Sequence, residues 1–135
     1  MTIKCENEIV DIFCKKNKKK KLYREVPVCM RSVDLVEYDK KKNEITAIEF
    51  KVSDWKTAIK QLVKVSFCFD KLILCINEPK REESLKKIVN ECNKYGIGLY
   101  LLKKDNSFDH NIIEKVNENI WNSIKCSIVK YIESI

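Results

Sequence analysis

The stretch that decides the fold is EITAIEFKV, Glu44–Val52. Apolar and other side chains alternate along its second half, a period of two that is typical of a β-strand. Glu49 and Lys51 are two residues apart, so they project from the same side, about 6–7 Å apart along the strand. We therefore predict a strand that presents one acid and one lysine together.

The segment just upstream, RSVDLVEY, predicts a neighbouring strand over Arg31–Tyr38, and DKKKN separates the two as a turn. Asp34 stands there among β-branched and aliphatic residues. A charge in such surroundings must be paired, hydrated in a cleft or bound to metal. Two acids and a lysine on adjacent strands fit a hard divalent cation, which takes oxygen ligands and tolerates water.

A third acid comes from a helix predicted over residues 3–14, IKCENEIVDIFC. Ile9, Val10 and Phe13 form its apolar stripe. Glu6 lies three, four and seven residues before them, on the same stripe, whereas Glu8 falls towards the opposite side. This geometry favours Glu6 as the acid that points inward.

The remaining pattern predicts one domain over residues 1–135 with a mixed sheet and helices on its faces. The predicted order is α-β-β-β-α-β-α-β-α. Beyond the elements above, its members are a strand at Leu22–Val28, a helix after Ser53 and Asp54, a buried strand at Lys71–Ile76, a helix at about Glu82–Tyr95, a strand at Gly98–Lys103 and a closing helical stripe over Asn111–Ile132.

The series Glu6, then Asp34 in SVDLV, then Glu49 and Lys51 in AIEFKV, then a helix starting DWKTAIKQL, resembles the PD-(D/E)xK nuclease superfamily. This superfamily includes restriction endonucleases, Holliday-junction resolvases and DNA-repair nucleases. The resemblance covers residues 6–76, just over half of the chain. It implies an α/β fold with a restriction-endonuclease-like α-β-β-β-α-β core, here extended by α-β-α.

The resemblance also implies a function, namely Mg2+-dependent (or Mn2+-dependent) hydrolysis of phosphodiester bonds in DNA by an endonuclease or resolvase-like enzyme. Asp34 and Glu49 would hold the ion with the carbonyl of Phe50. Lys51 would orient or activate the attacking water and offset phosphate charge. Glu6 would complete the acidic cluster directly or through water.

Gln61, ten residues past Lys51, resembles the helical glutamine of the superfamily. Helical geometry places it on the flank of the apolar stripe, able to face the edge of a cleft. An ordinary solvent-side glutamine is the alternative interpretation.

The charge balance is the second indication of an anionic partner. Lysine and arginine number 27 against 20 acids, a formal net charge of +7, and nucleic acid is the leading candidate. Arg31 is expected at the cleft mouth, Lys56 and Lys60 lie on a basic helix stripe, and Lys18 and Lys19 lie in a basic loop. All five are candidate phosphate contacts, and solvated surface charge is the competing interpretation.

Several classes are excluded or disfavoured. The 135 residues contain one histidine and two glycines, so His-based catalysis and Gly-rich phosphate loops are disfavoured. No stretch approaches the ~20 apolar residues of a membrane span, and residues 1–4 open no secretion signal. Seven cysteines without a C-x2-C pair are predicted to be free thiols, several of them buried, in a cytoplasmic protein.

Two other interpretations stay open. The chain could be a catalytically silent module of the same fold that binds nucleic acid or a partner protein. It could also be a structural α/β domain, in which Glu49 pairs with Lys51 and Asp34 caps or pairs with Arg31. Its small size makes a homodimer or a partner subunit plausible, and the closing helix with Trp121 is the expected interface.

Overall fold

The computed structural model describes residues 5–135, which form four α-helices, six strands and one 3-10 turn. Residues 3 and 4 of the first predicted helix, and the segment assessed for a secretion signal, lie outside these residues. The elements are α1 (Glu6–Lys16), β1 (Leu22–Val28), β2 (Arg31–Asp39), β3 (Glu44–Lys51), α2 (Trp55–Val65), the turn Ser66–Cys68, β4 (Lys71–Asn77), α3 (Glu82–Tyr95), β5 (Gly98–Leu102), β6 (Phe108–Ile112) and α4 (Asn122–Ser134).

The strands form one mixed sheet in the order β1-β2-β3-β4-β5-β6. β1, β2 and β3 are a meander of antiparallel neighbours, β3, β4 and β5 run parallel, and β6 returns antiparallel to β5. The parallel pairs are joined through α2 and α3, since a parallel connection needs a crossover. The predicted mixed sheet flanked by helices, and the predicted α-β-β-β-α-β order, are confirmed.

The core consists of two apolar clusters that share the sheet. Leu72, Leu74 and Ile76 of β4 belong to the cluster that includes side chains of α2, α3 and α4. Ile73 and Cys75 of the same strand belong to the cluster that includes α1. The uninterrupted apolar run of β4 therefore reflects burial on both faces, where each large aliphatic side chain contributes about 1.5–3 kcal/mol.

The closing segment differs from the prediction. Its first two residues belong to a sixth strand, Phe108–Ile112, and the helix begins at Asn122 instead of Asn111. The residues between are held by hydrogen bonds that a helix would break: the Asn117 amide donates to the Asp70 carbonyl at 2.6 Å, and its side chain donates to the Ser66 carbonyl at 2.7 Å. The apolar spacing there is helical, but Val116 is 53% exposed, so the spacing does not reflect a buried helix face.

A buried ion pair fixes α4 against the start of β3. Lys125 Nζ lies 2.9 Å from Asp70 Oδ2, and both side chains are about nine-tenths buried. The same carboxylate accepts the Ile45 amide at 2.8 Å, and Lys125 also donates to the Asn43 carbonyl. Each charged atom thus has several partners, which a buried pair requires if it is to offset its lost hydration.

Trp121 stands immediately before α4 and is 63% exposed. Its amide donates to the Phe67 carbonyl at 2.7 Å, and the two rings meet edge to face with centroids 5.1 Å apart. The expected homodimer through this region stays a prediction.

The cysteines are free thiols throughout the described chain, and Cys68, Cys75 and Cys92 are buried, as the apolar runs around the first two predict. Burial raises the pKa of the Cys92 thiol to about 12. No helix within residues 5–135 has the length and apolar character that crossing a membrane requires.

Candidate active site

The site forms where β2 and β3 part. Their backbone register starts at Leu35 opposite Ile48. Asp34 is the residue before Leu35 on β2. Its side chain accepts a hydrogen bond from the Phe50 amide of β3, with N to Oδ2 at 2.9 Å. A carboxylate has replaced a backbone carbonyl as the acceptor, so β2 separates from β3 and Asp34 lies between them.

An irregularity in β1 lies opposite the same point. The register of β1 with β2 includes Arg24↔Leu35 and Val26↔Val33 and omits the pair between them. Glu25, the omitted residue of β1, has a φ of 52°, in the left-handed region that non-glycine residues rarely adopt. Such local distortions are common beside active sites, where they aim a side chain. Nothing in the sequence around Glu25 signals this distortion.

The carboxyl group of Asp34 lies close enough to that of Glu49 to shift its pKa. Glu49 is 4% exposed. Burial, and next the negative charge of Asp34, raise the pKa of Glu49 to about 9. Two carboxylates this close cannot both be ionised cheaply, so the pair needs a shared proton or a cation between its oxygens.

Lys51 and Glu6 form the second part of the site. Lys51 ends β3, and its Nζ lies 3.7 Å from Oε1 of Glu6 at the start of α1. The Lys51 side chain remains 22% exposed. The structure therefore joins Glu6 to the lysine. Within residues 5–135 there is no group of three Asp, Glu, His or Cys side chains placed to hold one ion.

Gln61 lies on α2, the helix that packs on β3 and β4. Its Oε1 atom is buried and has no hydrogen-bond partner among the described residues. The residue as a whole is half-buried, so its role in the site stays a prediction. A buried acceptor without a donor costs about 1–3 kcal/mol, which favours a site that receives a donor from water or a ligand.

The predicted basic residues divide by position. Lys60 lies with Lys51 near Asp54 at the start of α2: hydrogen bonds from Thr57 lower the pKa of Asp54, and the charges of the two lysines lower it further. Lys56 places its Nζ 5.6 Å from the ring centroid of Trp55. Lys56 and Lys60 therefore lie on the first turns of α2, just after the end of β3.

Arg31 opens β2, three residues before Asp34, and is exposed. Lys18 and Lys19 are exposed in the loop after α1, and Glu6 stands at the other end of that helix, about 15 Å away along its axis. The structure does not bring the two loop lysines to the site, whereas Arg31 lies on the strand that carries Asp34.

Replacing Glu49 by glutamine is expected to change how stability depends on pH. Because the pKa of Glu49 rises from 4.5 towards about 9 on folding, the folded chain holds the extra proton. Stability should then fall between those pH values, by up to about 1.4 kcal/mol per pH unit. Urea unfolding in EDTA measures the slope.

Glu49→Gln should remove most of this slope and stabilise the chain at pH 8, whereas the control Glu118→Gln, at an exposed position, should retain it. Equal slopes in wild type and Glu49→Gln would contradict the proposed state of the pair.

Comparison with solved structures indicates a shared fold. The chain is similar to a protein of unknown function from Silicibacter pomeroyi, with a TM-score of 0.71 and 12% identity over 99% of this chain and 87% of that one. It is also similar to SfsA of Pyrococcus furiosus, solved in complex with Ca2+, with a TM-score of 0.43 and 13% identity over 83% of this chain and 62% of that one. No protein-family model and no curated protein sequence matches the chain. The first likeness shows the fold, and at this identity it shows the fold alone.

Proposed function

We propose that this chain is a divalent-metal-dependent nuclease that hydrolyses phosphodiester bonds in DNA. The observation that carries the proposal is that the half-buried carboxyl group of Asp34 lies beside the buried carboxyl group of Glu49, at the point where β2 and β3 part. An ion pair with a nearby lysine would compensate one of the two acids, but it leaves the other uncompensated.

The donor set suits Mg2+ or Mn2+. Carboxylate oxygens are the ligands that such hard cations prefer, and the Phe50 carbonyl, next along β3, is a third candidate oxygen. Mg2+ keeps several waters, so two carboxylates and one carbonyl are a sufficient protein contribution. When bound, a divalent cation would make water more acidic and offset the charge of the phosphate.

Lys51, Glu6 and Gln61 have supporting roles around the phosphate. Lys51 supplies a fixed positive charge towards the oxygens on which negative charge develops during attack by water. Glu6 holds that ammonium group in place through the ion pair at 3.7 Å, which makes Glu6 a positioning residue. Gln61 offers a buried acceptor oxygen to a water molecule or a ligand hydroxyl.

A second candidate function is a catalytically silent module of the same fold that binds nucleic acid or a partner protein. Two observations favour it: Glu6 is engaged by Lys51, and residues 5–135 contain no cluster of three potential ligands. Metal uptake separates the two candidates.

Calorimetric titration with Mn2+ is expected to show binding that strengthens as pH rises towards 9, because the ion must displace the proton that Glu49 holds. At pH 7 the uptake should release about one proton, seen as a dependence of the heat on the ionisation enthalpy of the buffer. Glu49→Gln should bind at least ~10-fold more weakly. No uptake by the wild-type chain, or equal uptake by Glu49→Gln, would favour the silent module.

A further inference from the structure

A groove of about 810 Å3 opens directly after Lys51. Val52, Ser53 and Trp55, which follow β3, form one wall. Ile76 and Leu102, at the ends of β4 and β5, are also among its lining residues. The groove therefore lies at the carboxyl ends of three parallel strands, the edge where open α/β sheets bind ligands.

The surface of the groove combines an apolar floor with a basic rim. Val52 and Pro79 are half-buried and supply the accessible apolar floor, whereas Ile76, Ile88 and Leu102 are almost fully buried beneath it. Lys80, Lys103 and Lys104 line the rim. Such a surface suits a ligand with one flat apolar part and one anionic part.

Two of the rim lysines are available to an anion. Lys103 Nζ lies 2.7 Å from Glu78 Oε2, so this lysine is neutralised. Lys80 and Lys104 are both exposed, and neither belongs to an ion pair within residues 5–135. The net charge at the rim therefore favours a phosphate.

The volume restricts what can enter. Pockets of about 300–1,000 Å3 hold one small-molecule-sized ligand, so 810 Å3 has room for one nucleotide unit, whose base can enter only when it is unpaired. Trp55 at the wall offers an aromatic surface, and stacking of a base on such a ring is a sequence-tolerant contact of single-stranded nucleic acids.

We propose that this groove binds a nucleotide unit of a single-stranded nucleic acid, with the base over the apolar floor against Trp55 and the adjacent phosphates at Lys80 and Lys104. The proposal rests on the proposed nuclease function and assigns its substrate class: a single strand or a frayed end. The backbone running out of the groove past Ser53 would reach Lys51.

The test is binding without metal, in EDTA, so that hydrolysis plays no part. A labelled ten-residue oligothymidine, the same sequence as a duplex, and free thymidine monophosphate are titrated against the full chain by fluorescence anisotropy or competition. The single strand is expected to bind at least ~10-fold more tightly than the duplex or the mononucleotide, and to quench Trp55 in a Trp121→Phe background.

Two variants locate the binding. Lys80→Ala/Lys104→Ala should weaken single-strand binding at least ~5-fold and reduce the salt slope of log K by about 1–1.5, as for two lost phosphate contacts. Ser84→Phe, at a half-buried lining position, should fill the groove and lower affinity at least ~10-fold. Lys41→Ala/Lys42→Ala, in the exposed turn before β3, is the charge-matched control and should bind like the wild type.

Three results would overturn the assignment: equal binding of duplex and single strand, equal binding of the free mononucleotide, or wild-type affinity in both groove variants. The outcome is separable from that of the nuclease proposal. Groove-dependent strand binding without any cleavage would remove the nuclease and keep this site. Cleavage at wild-type rate by the groove variants would keep the nuclease and remove this site.

Discussion

Asp34→Asn is expected to abolish Mg2+-dependent DNA cleavage, by about 10³-fold or more, equal to about 4 kcal/mol of transition-state stabilisation. The substitution removes the charge of the half-buried Asp34 and keeps an oxygen that can accept the Phe50 amide. The chain should therefore fold as before and, without metal, be no less stable, since the charge that helps to raise the pKa of Glu49 is gone.

Lys51→Ala should reduce cleavage by about 10²–10³-fold, because the positive charge beside the attacked phosphate is lost. Metal uptake should persist, since Lys51 is not a ligand. Lys87→Ala, which removes an exposed lysine of α3, is the control and should cleave like the wild type. Single-turnover cleavage of single-stranded and frayed DNA measures all three variants, and cleavage that survives both site substitutions would dismiss this assignment.

The largest effect on stability is expected at Lys125. Lys125→Met keeps the length of the side chain and leaves Asp70, which is 7% exposed, as a buried charge without its cation. Removing one partner of a buried pair costs about 3–5 kcal/mol. The carboxylate retains the Ile45 amide, so the cost should fall towards the lower part of this range.

Urea unfolding at pH 7 measures the effect. Lys130→Met, at an exposed position of the same helix, is the matched control and should differ from the wild type by less than ~0.5 kcal/mol. A Lys125→Met chain as stable as the control would contradict the role of this pair in fixing α4.

The meander and the first crossover could be predicted because their signals are local. Period-two alternation marks β3, and Asp54 accepts the Thr57 amide at 3.3 Å, as its position before the helix predicts. The shared side of Glu49 and Lys51 follows from strand geometry. The contact of Glu49 with Asp34 depends in addition on the register of β2 against β3, which the separation of Asp34 and Glu49 in sequence suggests but does not determine.

The features that sequence analysis missed depend on contacts between distant segments. β6 has the sequence FDHNI, whose burial is partial, and it is held by β5 and by stacking of His110 on Tyr100 at 4.0 Å. The irregular segment before α4 is fixed by the carbonyls of Ser66 and Asp70. The groove exists only where three strand ends meet, so no single segment carries its signal.

The most direct test of the central claim is a crystal structure of the chain soaked in Mn2+, with the anomalous signal recorded. The account predicts a peak between β2 and β3, within about 2.5 Å of an oxygen of Asp34 and an oxygen of Glu49. A map without a peak there, with the two carboxyl groups still in contact through a proton, would contradict it.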